Sequence, residues 1–298
     1  MRRVNASQTR PADHERPPSA GATPPATDRP ARNVAMARPA TGGDTRRLDY
    51  LTAPAIEAYL RRSDAAILAL GPTEAHGLHL PLGCDYLIAL ATAELAARQA
   101  DALVLPPFPY SWPGATAKLP GTMRLPPDLV QQVLIAILEG AAAQGFRRLA
   151  LVCAHGPDVH TATLAARYAA ERLGFAIAVH HAVPGRGTTP RERALEATAQ
   201  AQDREDPGHG ETSRLLAALE ILGLPQHLVD LAAGPAQGTP QPAALKDSMR
   251  AGGAGFFYAE LSQHIPTPRG HNLAEGRAYL EAAAAAITES LEAMRALR

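Results

Sequence analysis

Four short apolar runs alternate with longer segments of helical texture, and this alternation constrains the chain more than any other feature. The runs are AAILALGP (65–72), ALVLPPFPY (102–110), RRLALVCAHG (147–156) and FAIAVHHAV (175–183). Each is too short for an ordinary helix and stops at glycine, proline or a polar residue, the pattern of a strand buried on both faces. Between them, 86–100, 128–145 and 158–174 read as helices, with Gly145 and Gly174 as C-terminal stops. Strand and helix in this order and at this spacing predict an α/β fold: a three-layer α/β/α arrangement, mostly parallel sheet with helices on both faces. Further helices are expected over 48–61, entered through Thr52 as N-cap with Pro54 in the first turn, and over 212–222 and 274–297. The stretch from Pro184 to Pro207 reads as polar and Pro/Gly-broken, and 231–270 as ordered loops rich in Gly and Pro.

Residues 1–43 are of a different composition. They hold seven prolines and seven arginines against Asp13, Glu15 and Asp28, with almost no large apolar side chain. Such a segment cannot bury enough surface to offset its ordering entropy, so 1–43 is expected to be a disordered tail and 44–298 the folded domain. It lacks the apolar region of a secretory signal, and Met36 is an alternative start. Over the whole chain, 29 basic and 29 acidic residues cancel. That balance removes the electrostatic case for a nucleic-acid or membrane-surface partner. No apolar run reaches the roughly 18–20 residues of a membrane span. Two cysteines build no disulfide framework, so a cytoplasmic setting is expected.

In an open α/β sheet, ligands sit beyond the carboxyl ends of the strands. The two most polar strand exits here are 71–85 (GPTEAHGLHLPLGCD) and 153–158 (CAHGPD). Glu74, His76, His79 and Asp85 fall within twelve residues, and His155 leaves a neighbouring strand. Glu74 and His76, two apart, project to one side of an extended segment. Asp85 joins them only if the loop folds back, which Gly77, Pro81 and Gly83 permit. Imidazoles with carboxylates suit zinc, manganese or iron, and one carboxylate bridging two cations would serve a two-metal hydrolase site.

The first of these segments, GPTEAHGLHLPLGCDYLIA, closely resembles the signature of the creatininase (creatinine amidohydrolase) family: Pro-x-Gly-Ser-x-Glu-x-His-Gly-x-His-Leu-Pro-x-x-Thr-Asp. PPFPY with LPGTMRL (119–125) resembles the family's Pro-Gly-Thr segment. GFRRLALVCAHG (145–156) resembles its strand ending in Asn-Gly-His-Gly-Gly-Asn, and GETS (210–213) its Glu-Thr-Ser segment. The resemblance covers about 45–298. It implies that Glu74, Asp85 and His155 bind one divalent metal, with Asp85 bridging to a second held by His76 and a further carboxylate. In creatininase that carboxylate follows the strand-end histidine by two residues; here the position is Pro157, with Glu211 as the expected substitute and Asp158 as the alternative. His209 and Glu211 are the expected acid/base residues.

The implied chemistry is hydrolysis of a small cyclic amide or related C–N bond by a homo-oligomer, often a hexamer, carrying two divalent cations (Zn expected; Mn or Fe alternatives). Trp112 is the only tryptophan, whereas the family binds creatinine through tryptophans of later loops, so a different small polar substrate is expected. Pro157 and the shortened GETS loop also allow a non-catalytic, metal-stabilised relative, and similar proteins include peptidases and deformylases. His79 is expected to be structural. Cys84 and Cys153, each beside a site residue, read either as small packing residues or as soft ligands or a redox pair.

Overall fold

The computed structural model describes residues 45–182, 189–233, 257–261 and 264–297. The expected tail and most of the 231–270 loops lie outside these residues. The described elements are α1 (Ala53–Leu60), β1 (Ala65–Leu70), α2 (Cys84–Ala100), β2 (Leu103–Val104), α3 (Pro127–Ala143), β3 (Arg148–Cys153), α4 (Asp158–Leu173), β4 (Ile177–His181), α5 (Pro190–Glu205), α6 (His209–Leu222) and α7 (Leu273–Ala293). The four strands form one parallel sheet in the order β2-β1-β3-β4.

Alternation along the strands separates two cores. Ala65, Ile67 and Ala69 of β1 face the same way as Ala150 and Val152 of β3, and pack under α2, α6 and α7. Ala66, Leu68 and Leu70 face the other way with Leu149, Leu151 and Cys153, under α1, α3 and α4. Both faces of the central strands are thus covered, as their unbroken apolar runs require. This is the expected three-layer α/β/α fold. Among the described residues, no helix is long and apolar enough to cross a membrane.

Two local expectations need correction. The helix expected over 48–61 is broken: a 3₁₀ turn spans Leu48–Tyr50, Leu51 and Thr52 are extended, and α1 starts at Ala53. Thr52 is the N-cap residue, but its hydroxyl makes no capping bond. The break lets the preceding chain lie along the sheet edge, where Val104 N–H donates to the Arg46 carbonyl at 2.8 Å. The stretch read as broken between Pro184 and Pro207 contains α5. Its signal was a capping box: the Glu192 amide donates to Thr189 Oγ1, the Thr189 amide donates to Glu192 Oε2, and Pro190 supplies the first turn.

Candidate metal centre

The centre lies at the carboxyl ends of β1 and β3. After β1 the chain runs through Gly71 and folds back on itself, with Glu74 N–H donating to the Leu82 carbonyl at 2.9 Å. This returns Cys84 and Asp85 as the first residues of α2. Gly71 is required by the closeness of that return: a Cβ there would meet Asp85 Cβ at 2.7 Å. Gly77 turns the loop with φ +66°, and a Cβ there would strike the Ile265 carbonyl at 2.0 Å.

Two groups of donors result. In the inner one, His155 Nδ1 lies 3.0 Å from Glu74 Oε1 and 3.1 Å from Asp85 Oδ2, and all three residues are buried. In the outer one, His76, Cys84 and Glu211 place ligand atoms within 4.8 Å of one another. His76 Nε2 stands 3.2 Å from Asp85 Oδ1, 3.6 Å from Glu211 Oε1 and 3.9 Å from Glu74 Oε1. Asp85 therefore faces both histidines, one with each oxygen.

The imidazoles are oriented from behind. His155 Nε2 sits 3.2 Å from the Trp112 carbonyl, and His76 Nδ1 sits 3.1 Å from the Glu74 carbonyl. An N–H donated to each carbonyl leaves the other ring nitrogen of a neutral histidine as a lone pair aimed at the carboxylates. Lone pairs facing carboxylate oxygens at 3.0–3.2 Å need a proton or a cation between them. Among the described residues, no lysine or arginine pairs with Glu74 or Asp85. Buried charges of this kind are paired or coordinate metals.

The carboxylates draw protons toward the histidines. Burial disfavours the charged ring of His76, but Asp85, Glu211 and Glu74 outweigh it and raise its pKa to about 10. His155 is raised likewise, Glu74 and Asp85 overcoming burial. Burial pushes Asp85 up, but the two histidines hold it well below the usual carboxylate range. Burial raises Glu211 against the pull of His76 and Arg214, and burial pushes the Cys84 thiol up. Imidazole nitrogens and carboxylate oxygens gathered in this way make a donor set that fits divalent cations.

A family model described as creatinine amidohydrolase matches residues 49–291. The chain belongs to the creatininase family. Solved creatininases share its fold: a Mn creatininase superposes with a TM-score of 0.64 at 23% identity, covering 84% of this chain and 99% of that one. A mutant creatininase of Zn-Zn type superposes with a TM-score of 0.62 at 22% identity, covering 84% and 98%. Among characterised proteins, the chain is 28% identical over 109 residues to 3-dehydro-scyllo-inosose hydrolase of Thermotoga maritima, spanning 36% of this chain and 35% of that protein. It is 32% identical over 113 residues to a mycofactocin precursor peptide peptidase of Mycobacterium tuberculosis, spanning 35% and 45%. The matched stretch is thus under half the length of either relative. The family and both relatives are hydrolases.

The creatininase-like segments have visible mechanical roles. In the Pro-Gly-Thr segment, Thr122 Oγ1 accepts from Ala75 N–H at 3.0 Å and Met123 N–H donates to the Thr73 carbonyl, so this loop holds the signature loop in place. Thr116 Oγ1 donates to Glu74 Oε2. His79 Nε2 lies 2.9 Å from Thr212 Oγ1 of the GETS segment, tying the signature loop to α6. Glu211, in the first turn of α6, is thereby delivered to His76. Asp158 is buried beside Ser111, whose hydroxyl donates to it at 3.0 Å, and belongs to neither donor group.

Of the sequence-predicted residues, the structure gathers Glu74, His76, Asp85, His155 and Glu211. His209 opens α6 with Nε2 buried, without a hydrogen-bond partner and 3.5 Å from Glu275 Oε2. Sequence reasoning missed His264, whose ring packs 5.0 Å from that of His76 and whose Nδ1 lies 2.8 Å from the Ala75 carbonyl. Burial and the charge on His76 lower its pKa to about 4. Its segment carries no periodicity or motif that could have singled it out.

Proposed function

We propose that this creatininase-family hydrolase is a two-cation amidohydrolase acting on the C–N bond of a small polar amide or lactam other than creatinine. The observation that carries the reading is Asp85, one oxygen facing His155 and the other His76. In this reading Glu74, Asp85 and His155 hold one cation, and Asp85, His76 and Glu211 the other. Two divalent ions so held would acidify a water and polarise the substrate carbonyl. Zinc suits the donors, with manganese or iron as alternatives.

The chain's own residues do the rest. Thr116 and the carbonyls of Trp112 and Glu74 orient ligands, so that little is rearranged when substrate arrives. Glu211, whose side chain is 20% exposed, is the carboxylate nearest solvent and the proton acceptor on the substrate side. His209, two residues before Glu211 and with Nε2 3.5 Å from Glu275 Oε2, is the substrate-side proton carrier in this reading. A cytoplasmic homo-oligomer with a small-molecule substrate accords with the resemblance. Substrate screening should pair lactams with short peptides, because the similarity to a peptidase favours the second class.

Pro157, at the position that carries a carboxylate in creatininase, favours one other reading: a non-catalytic, metal-stabilised binding subunit. Elemental analysis of untagged protein together with an amide-hydrolysis assay separates them. About two metals per chain, with turnover of an amide that Glu74→Gln abolishes, is the expected result. Folded protein that takes up no divalent cation would end the metal-dependent reading.

A further inference from the structure

The outer donor group contains a thiol that no resemblance supplies. The family signature has threonine immediately before the aspartate; here that residue is Cys84. Cys84 is fully buried, opens α2, and has its N–H on the Pro81 carbonyl at 3.1 Å, so its position is set by the same fold-back that delivers Asp85. Its sulfur, a ring nitrogen of His76 and a carboxylate oxygen of Glu211 lie within 4.8 Å of one another. Asp85 Oδ1 adds a fourth donor, 3.2 Å from His76 Nε2.

Cys153 is an internal comparison. It is equally buried and also beside a site histidine in sequence, yet it packs among Leu70, Leu149 and Leu151 on the opposite face of the sheet. Among the described residues, it joins no donor group. Filling a small apolar space accounts for Cys153. Cys84 also belongs to the apolar core under α2, α6 and α7, but unlike Cys153 its sulfur lies within 4.8 Å of an imidazole nitrogen and a carboxylate oxygen, which filling apolar space does not require.

We infer that Cys84 is a thiolate ligand of the outer cation, completing with His76, Glu211 and Asp85 a sulfur-containing site in a chain where Pro157 stands at the position that carries a carboxylate in creatininase. This rests on the two-cation reading above. One sulfur, one nitrogen and two oxygens form a four-coordinate set that favours zinc or cobalt over manganese, whereas the inner set of one nitrogen and two carboxylates has no such preference. The two positions are therefore chemically unequal, and mixed loading should place manganese inside and zinc outside.

The test is cobalt(II) loading of the metal-free full chain, with bound cobalt counted on the same samples. A sulfur-to-cobalt charge-transfer band in the near ultraviolet is expected for the natural sequence and for Cys153→Ser. The band is expected to vanish in Cys84→Ser while at least one cobalt per chain remains. Two bound cobalts without the band, or a band that survives Cys84→Ser, would overturn the thiolate assignment and leave the metal centre standing. No cobalt uptake would remove the centre itself and this inference with it. Should Cys84→Ser fail to fold, zinc-edge X-ray absorption on the natural sequence decides. A Zn–S shell at about 2.3 Å supports the assignment, and N/O scatterers alone at about 2.0–2.1 Å refute it.

Discussion

The inner and outer halves of the centre are built differently, although Asp85 belongs to both. The inner half joins the exits of two paired strands: Glu74 follows β1, His155 follows β3, and β1 and β3 run in register from Ala65↔Arg148 to Leu70↔Cys153. Its donors are closed in, at 3.0 and 3.1 Å. The outer half needs α6, an element of the helical layer, to bring Glu211 across to His76. There the spacing is looser, at 3.6 Å, and the carboxylate reaches solvent. The inner donors hang on paired strand ends and are buried; the outer group depends on a helix packed over the sheet and is partly exposed. In the proposed reading, Pro157 and Cys84, the departures closest to the centre, both concern the outer cation.

The sharpest way to break the division is to remove the residue common to both halves. Asp85→Ala should take metal content from two per chain to none and abolish turnover, read by elemental analysis alongside an activity assay. Retention of one cation would mean that Asp85 does not bridge. Glu211→Gln should act on the outer half alone, leaving about one cation per chain and little turnover. If it empties both positions, the halves are not separable.

Why one half was readable and the other was not follows from the same geometry. Glu74, His76 and Asp85 lie within one loop, and His155 leaves an adjacent strand, so local spacing and the rule for strand ends were enough. The sheet was legible because buried parallel strands are almost wholly apolar. Glu211 could be named only through the GETS resemblance. Its approach to His76 depends on α2 and α6 packing together over β1, which no local pattern encodes. Cys84 was left between packing and ligation because a sequence does not show which way a thiol at a helix start points. His264 was invisible for the same reason at greater range, meeting Ala75 across 189 positions. The missed α5 is a different failure: its capping box, Thr189 to Glu192, was readable and was outweighed by the polar composition around it.

His209 probes the boundary between metal binding and proton transfer. His209→Ala should keep both cations and lower turnover by roughly 10²–10⁴, the usual contribution of a general acid or base. Loss of a cation instead would place His209 in the outer half. Unchanged turnover would confine it to its contact with Glu275.

The smallest expected effect concerns Asp158, which lies beside the inner half without belonging to it. Burial raises its carboxyl to about 7, against the opposing pull of His155 and the Ser111 hydroxyl. One oxygen accepts from Ser111 and the other has no hydrogen-bond partner. The folded chain thus holds the proton more tightly than the unfolded chain, whose aspartate titrates near 4. A raised carboxyl of this kind contributes its full stability below about pH 4 and loses it as pH rises through about 7. Asp158→Asn cannot titrate. In metal-free protein, the stability of the natural sequence relative to this variant should therefore fall between pH 4 and 7, by at most roughly 4 kcal/mol for three pH units. Urea unfolding of both proteins across that range measures it, and metal content should be the same in both. A cation in the inner half would attract the ionised carboxylate and shrink the difference, so the loaded protein should show a flatter pH dependence than the metal-free one. A difference that stays constant with pH would mean that Asp158 is ionised throughout, as a ligand would be, and the donor groups would have to be redrawn to include it.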